Sequence, residues 1–326
     1  MIALFAIIIG LCYLIVAFVL FILNGLLLWA VVSSAECKSN TFNVIKSICV
    51  SCMLQLVPLM IGGVRTVAQS LFHDYLDKIL GIMIQSGWYL YVALTLTLAV
   101  DRFFIFIRIS PSKYTFVVNL FVVLSWILWL ATIIMFCLPG FGYTYAYDHG
   151  EKYYSWNYDS SDGSQTLSAV DPYFQGAVFG TAFVIYLIVF GYLIKLRKSS
   201  SGDSLSFKVE VRILAVSIIS FASDVLFVAL SSYVQMTYEL FADIIHNGAW
   251  LMECGIFTIL TLSISAKLRN KVEYMKDVMG GCDKVFRDMW EVIVCHRLFL
   301  ENEDKFIAAL KNGQETYKVC QAGTMC

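Results

Sequence analysis

The side chains best placed to do chemistry in this chain are a few charges set in or against long apolar runs. Asp101 and Arg102 stand side by side in "AVDRFFIFIRISPSKY", directly after the uncharged run 79–100. An acid and an arginine so placed form either ordinary interfacial charge at a helix end or an ion pair that can be made and broken. Exposed ion pairs contribute about 0–1 kcal/mol. At a partly wet site a pair of that size acts as a switch rather than a clamp. Asp224 and Glu253 pose a different problem, because each interrupts an otherwise uncharged run. A charge near a bilayer midplane costs about 2.5–3.5 kcal/mol, so it faces the protein interior and has a partner or a task. Neither run supplies a basic residue at that depth. Arg65 is the only candidate cation, and a neutral, hydrogen-bonded carboxyl is the alternative. The expectation is that one or both acids line a ligand or water cavity.

Other chemistries find little support. Cys49-x-x-Cys52 has zinc-like spacing, but it lies in an apolar segment with no second pair nearby. His73, His149, His246 and His296 are scattered and form no ligand cluster, so no metal and no cofactor is expected. No glycine-rich phosphate loop, G-x-S-x-G or H-E-x-x-H occurs, and no enzymatic activity is expected.

The elements that must position these residues follow from composition. Of 326 residues, 59% are hydrophobic and 14% are charged. A soluble domain carries about 25% charged residues, so this chain cannot cover a water-facing surface of its length. A spanning helix needs about 20 mostly apolar residues. Charge-free or nearly charge-free runs cover 3–32, 47–64, 79–100, 114–147, 172–194, 213–235 and 244–266. The first run is much longer than the apolar core of a signal peptide, which favours a true helix. Seven helices are predicted, over about 3–32, 46–68, 79–104, 114–138, 172–196, 209–235 and 243–267. The fold class is an all-α membrane protein, a seven-transmembrane bundle over 1–275 with a cytoplasmic tail over 276–326.

Loop charge sets the threading. Lys38 and Lys46, then Arg102, Arg108 and Lys113, then Lys195, Arg197, Lys198, Lys208 and Arg212 fall between alternate runs, and Lys267, Arg269, Lys271 and Lys276 follow the last. The intervening loops are acidic: Asp74 and Asp77; Asp148, Glu151, Asp159, Asp162 and Asp171; Glu239 and Asp243. Basic loops stay in the cytoplasm. The amino end is therefore expected outside and the tail inside, at the plasma membrane.

Seven helices with Asp101-Arg102 at the cytoplasmic end of the third resemble a rhodopsin-like G-protein-coupled receptor. Asn24 in "LNGLLL", Trp126 in "LSWILW", and Pro111 and Tyr114 before the fourth helix match that family's markers. The subgroup most similar is the nematode serpentine chemoreceptors, Srx more than Srt, through "GYTYAYDHGEKYYSWNYDSSDG" and "KLRNK". The resemblance covers about 10–275. It implies a ligand in the outer half of the bundle and a heterotrimeric G protein recruited inside, with Asp101, Arg102 and Glu210 as the activation switch. There are departures. Neither 70–81 nor 140–172 contains a cysteine, so the family's disulfide cannot form and the outer loop is expected to be held by packing alone. The Asn-Pro-x-x-Tyr signature is replaced by "GIFTILTLSIS", helix two lacks the usual buried aspartate, and helix six has no proline.

Ligand-pocket candidates are Gln85, Trp88, Tyr89, Tyr91, Tyr173, Phe174, His246 and Trp250, with Asp224 and Glu253 deeper. No lysine lies between Asp243 and Lys267, which opposes a retinal Schiff base. Ser199, Ser200, Ser201 and Ser204 are candidate phosphorylation sites. Past Gly280-Gly281, Cys282 is a lipidation candidate, and Val285, Phe286, Met289, Trp290, Ile293, Val294 and Leu298 form the stripe of an amphipathic helix on the membrane. The expected function is a chemosensory receptor for a small molecule, embedded in lipid and without a nucleic-acid partner. The alternative is a seven-helix channel or transporter that uses the two intramembrane carboxylates.

Overall fold

The structure, a computed structural model, describes residues 2–33, 39–68, 73–107, 111–147, 154–199, 205–237 and 239–264. These form seven helices and one hairpin: α1 (Ile2–Val32), α2 (Asn40–Ala68), α3 (Asp74–Ile107), α4 (Pro111–Cys137), β1 (Tyr143–Tyr147), β2 (Tyr154–Tyr158), α5 (Asp162–Ser199), α6 (Leu205–Thr237) and α7 (Glu239–Ile264). Five of them, α1 to α5, are long and apolar enough to cross a membrane. In hydrocarbon no water is present to satisfy backbone groups, so an apolar run of this length closes its hydrogen bonds within itself as a helix. The tail over 276–326, with Cys282 and the amphipathic stripe, lies outside the described residues, as do Ser200, Ser201 and Ser204.

Burial follows each helix's place in the bundle. α3 packs against α2, α4, α5, α6 and β1 and is the central helix. Leu80, Ile84, Trp88, Leu90, Tyr91, Leu94 and Leu98 on it are buried. α1, α4 and α5 turn apolar residues outward, with Ile15, Phe116, Ile127 and Phe190 all more than half exposed. Such faces suit acyl chains. α1 and α2 touch backbone to backbone where Gly10 meets Gly63: a Cβ on either would come within 2.7 Å of the other's carbonyl oxygen. Small residues permit this approach between membrane helices.

The expected all-α bundle is what the structure shows, and the one addition is a hairpin in the outer segment over 140–172, where a loop was expected. β1 and β2 pair antiparallel, with Tyr143 opposite Tyr158 and Tyr145 opposite Trp156. The cause is visible in "YTYAY" and "YSWNY": aromatic residues at every second position favour a pleated strand with one buried face. Tyr143, Tyr145 and Trp156 are buried. α5 likewise begins at Asp162, ten residues before the charge-free run that marked it. Charge density locates the lipid boundary, whereas a helix continues beyond it into water.

The hairpin is held by more than packing, contrary to expectation. Arg65 on α2 pairs with Asp77 on α3. The Tyr145 amide donates to both Asp77 oxygens, at 3.2 and 3.3 Å. The Tyr145 and Thr66 hydroxyls are 2.9 Å apart, and Arg65 Cζ lies 5.7 Å from the Tyr145 ring centroid. On the α5 side the Gly142 amide donates to Ser164 Oγ at 2.7 Å. The cysteines among the described residues are free. A polar clamp on Asp77 therefore pins this segment where the sequence lacks a disulfide.

A Cβ on Gly81 of α3 would lie 1.5 Å from the Tyr143 carbonyl oxygen, so the hairpin sits directly on this glycine. Gly176 on α5 faces open space. Gly81→Ala is expected to lower stability by about 1–3 kcal/mol through overpacking, and Gly176→Ala by no more than about 0.5 kcal/mol. Thermal unfolding of the purified variants in nanodiscs measures the difference.

Candidate functional site

Three polar centres lie along α3, from one end of the bundle to the other. The first is at its last turns. Asp101 and Arg102 are both completely buried. Arg102 binds Asp101 through Nη2 and through Nε, the latter at 3.0 Å. Thr41 of α2 donates to Asp101 Oδ2 at 2.9 Å and accepts from Arg102. Tyr114, in the first turn of α4, donates to Asp101 Oδ1 at 2.7 Å. Pro111 opens that helix, where its missing N–H costs nothing. The partly wet pair expected from sequence is thus a dry one. Thr41 and Tyr114 close over it, and removing one partner of such a pair costs about 3–5 kcal/mol. Glu210 lies on α6 in a stretch whose side chains are outside the described residues.

The second centre is at mid-bundle. Asp224 of α6 and Glu253 of α7 are 0% and 3% exposed and so face the interior rather than lipid. Their carboxyls adjoin, Cys52 of α2 lies beside Glu253, and the Tyr91 hydroxyl of α3 donates to Asp224 Oδ1 at 3.0 Å. Arg65, the one cation considered for them, is engaged by Asp77 at the hairpin end. Asp224 Oδ2 and both Glu253 carboxyl oxygens are buried and meet no hydrogen-bond partner among the described residues.

The third centre is a cavity of about 300 Å³ between the hairpin and α3, α5, α6 and α7. Gln85, Trp88, His246 and Trp250 line it. Its floor is aromatic: Trp88 meets Trp250 and Phe227 edge to face, each at 5.8 Å, and His246 packs on Trp250 at 5.5 Å. Trp250 Nε1 is fixed by Gln55 Oε1 of α2 at 2.7 Å. Edge-to-face pairs contribute about 0.5–1.5 kcal/mol each beyond burial. Asp224, Glu253 and Tyr91 are not on the cavity wall. Each lies three residues beyond a floor residue, Phe227, Trp250 and Trp88 respectively, on the side away from the hairpin. Tyr89 sits outside the wall as well, against Phe174 at 5.4 Å. Tyr173 is 80% exposed and points away from the bundle.

Sequence reasoning missed most of the wall. Tyr143, Trp156 and Tyr158 come from the hairpin, and Asp171 and Gln175 from the early part of α5. The two-residue aromatic period marked the first three. Asp171 carried no signal beyond being one more acid in an acidic loop. Tyr158 donates to Asp171 Oδ2 at 3.1 Å and accepts from Gln85 Nε2 at 2.6 Å. Burial first, and the Asp171 carboxylate second, push the Tyr158 phenol far above its usual range, so it remains a donor.

No protein-family model and no curated protein matches the chain. Among solved structures, the crystal structure of squid rhodopsin is similar with a TM-score of 0.63 at 12% identity, over 89% of this chain and 89% of its own. At that identity the likeness is one of fold: the chain has the seven-helix fold of rhodopsin and is a multi-pass membrane protein.

Asp101→Asn leaves Arg102 buried against a neutral amide. Its expected cost is about 3–5 kcal/mol, against about 1 kcal/mol for Tyr114→Phe, which removes one hydrogen bond. Unfolding midpoints of the two variants in one detergent check the ratio. Equal small losses would mean the pair is hydrated.

Proposed function

We propose that this chain is a plasma-membrane receptor with its amino end outside. It takes a small chemical cue into the cavity under the hairpin and activates a heterotrimeric G protein at the Asp101–Arg102 end. The observation that carries the proposal is the pairing of an aromatic-floored cavity at one end of α3 with a buried, closed ion pair at the other. α3 and α6 connect the two. Trp88 and Phe227 form part of the floor, and one turn beyond them Tyr91 reaches Asp224 between the same helices. Ligand seated on the floor can bias that contact. A change in the packing of α6 on α3 then frees Arg102 from Asp101 and opens a groove for the G protein, with Glu210 as the competing acid. A ligand can shift such an equilibrium only by its differential affinity. Moving it from 1:99 to 99:1 takes about 5.5 kcal/mol, comparable with the cost of breaking one buried pair. The resemblance of the hairpin segment to Srx chemoreceptors supports a chemosensory role.

A second reading rests on the interior placing of Asp224 and Glu253: two carboxyls without a cation at their depth in α6 or α7 suit a proton path through a channel or transporter. A panel of small molecules applied to cells reporting both G-protein activation and membrane current separates the readings. The expected result is a G-protein response that Arg102→Ala lowers at least tenfold at equal surface expression. A current that survives without G protein, or full signalling by Arg102→Ala, would overturn the receptor proposal.

A further inference from the structure

The cavity carries a chemical preference of its own. Among the described side chains lining it, Asp171 is the only acid and His246 the only imidazole. The His246 ring is enclosed by Phe227 at 5.6 Å and Trp250 at 5.5 Å. Asp171 is 9% exposed, on α5 at the cavity wall. Tyr158 donates to its Oδ2, and Tyr89, Gln85 and Gln175 surround the same carboxyl with further polar hydrogens. A carboxylate can accept from all of these donors. Its other oxygen, Oδ1, is buried and meets no hydrogen-bond donor among the described residues. Leaving a buried acceptor unmet is unfavourable, and a buried negative charge with no cation more so. Among the described residues no lysine or arginine lines the cavity to supply one. The rest of the wall is rich in ring systems, Trp88, Tyr143, Trp156, Phe227 and Trp250 among them. Aromatic faces attract cations through the ring quadrupole.

We propose that the ligand of this cavity is a small organic ammonium ion bearing an N–H, bonded to Asp171 Oδ1 within the aromatic wall. The proposal rests on the receptor reading of the cavity and specifies its ligand class. The N–H requirement comes from Oδ1, which needs a donor, and the charge requirement from a wall that carries no cation among its described residues. The size follows from the cavity, about 300 Å³, the lower end of ligand-site volumes. One aromatic ring and a short amine chain fill it. Tyr158 and Gln85 act as positioning residues, fixing Asp171 through Oδ2.

The test uses the full chain in nanodiscs and three probes of one shape: 2-phenylethylammonium, 2-phenylethanol and phenylacetate. Quenching of tryptophan fluorescence reads binding, since Trp88, Trp156 and Trp250 are on the wall. The ammonium ion is expected to bind saturably and at least tenfold more tightly than the alcohol or the carboxylate. Asp171→Asn is expected to abolish that preference, and an unfolding midpoint within a few degrees of the wild type's shows that the variant is folded. Asp171→Glu keeps the charge and is expected to retain the preference, and Tyr158→Phe to reduce it. Equal binding of the alcohol and the ammonium ion, or a preference that survives in Asp171→Asn, overturns the ammonium proposal and leaves the receptor reading standing. If none of the probes quenches the wild-type protein, the proposal falls. The receptor reading is then judged separately by the response of cells to the wider chemical panel.

Discussion

In a hydrocarbon solvent a polar group finds its partner inside the protein or not at all, and the main long-range contacts of this bundle are answers to that constraint. Asn24 of α1 donates to the Cys254 carbonyl at 3.1 Å and accepts from Thr258 at 2.7 Å, which fixes α1 on α7. Gln55 and Trp250 join α2 to α7, and Trp126 donates to Ser47 at 3.3 Å to join α4 to α2. Asp101 and Arg102 gather α2, α3 and α4 at one end, and Arg65 and Asp77 join α2, α3 and the hairpin at the other. Apolar packing against lipid-like surroundings gives helices little preference for one another over acyl chains, so hydrogen bonds and close backbone approach set the register.

The same constraint explains how the chain dispenses with a disulfide over its cavity. Asp77 takes on three tasks: it neutralises Arg65, accepts from the Tyr145 backbone and so seats β1 on α3. Tyr158 seats β2 through Gln85 of α3 and Asp171 of α5. A covalent staple would limit the open states of the hairpin whatever the solvent. A clamp of ion pair and hydrogen bonds holds it only while the clamp stays dry, and water reaching Asp77 weakens it.

Much of this architecture was legible in the sequence, and the reasons are local. Charge-free runs marked the helices because exclusion of charge is the requirement for spanning, and the same rule misplaced the start of α5, whose first turns obey no such exclusion. Asp101, Arg102, Thr41 and Tyr114 illustrate the limit for sites. The first two announce themselves as neighbours in sequence, whereas Thr41 and Tyr114 arrive from other helices, and only the packed bundle shows that together they dry the pair. Asp224 and Glu253 stood out as lone acids, but their meeting depends on how α6 and α7 pack, which no spacing encodes. The hairpin was readable from its aromatic alternation, a period-two signal overlooked in a chain otherwise dominated by helical runs. Asp171 was not readable: its significance is an unmet oxygen on a cavity wall, a property of three dimensions alone.

Cavity and ion pair lie at two ends of one packed helix, and the proposed receptor function requires them to share one equilibrium. The direct measurement is the distance distribution between spin labels at Phe116 on α4 and Ile219 on α6, both outward-facing, by pulsed dipolar spectroscopy in nanodiscs. Saturating a ligand of the cavity is expected to shift that distribution to longer distances as Arg102 leaves Asp101. An unchanged distribution with the cavity demonstrably filled would contradict the coupling on which the functional reading stands.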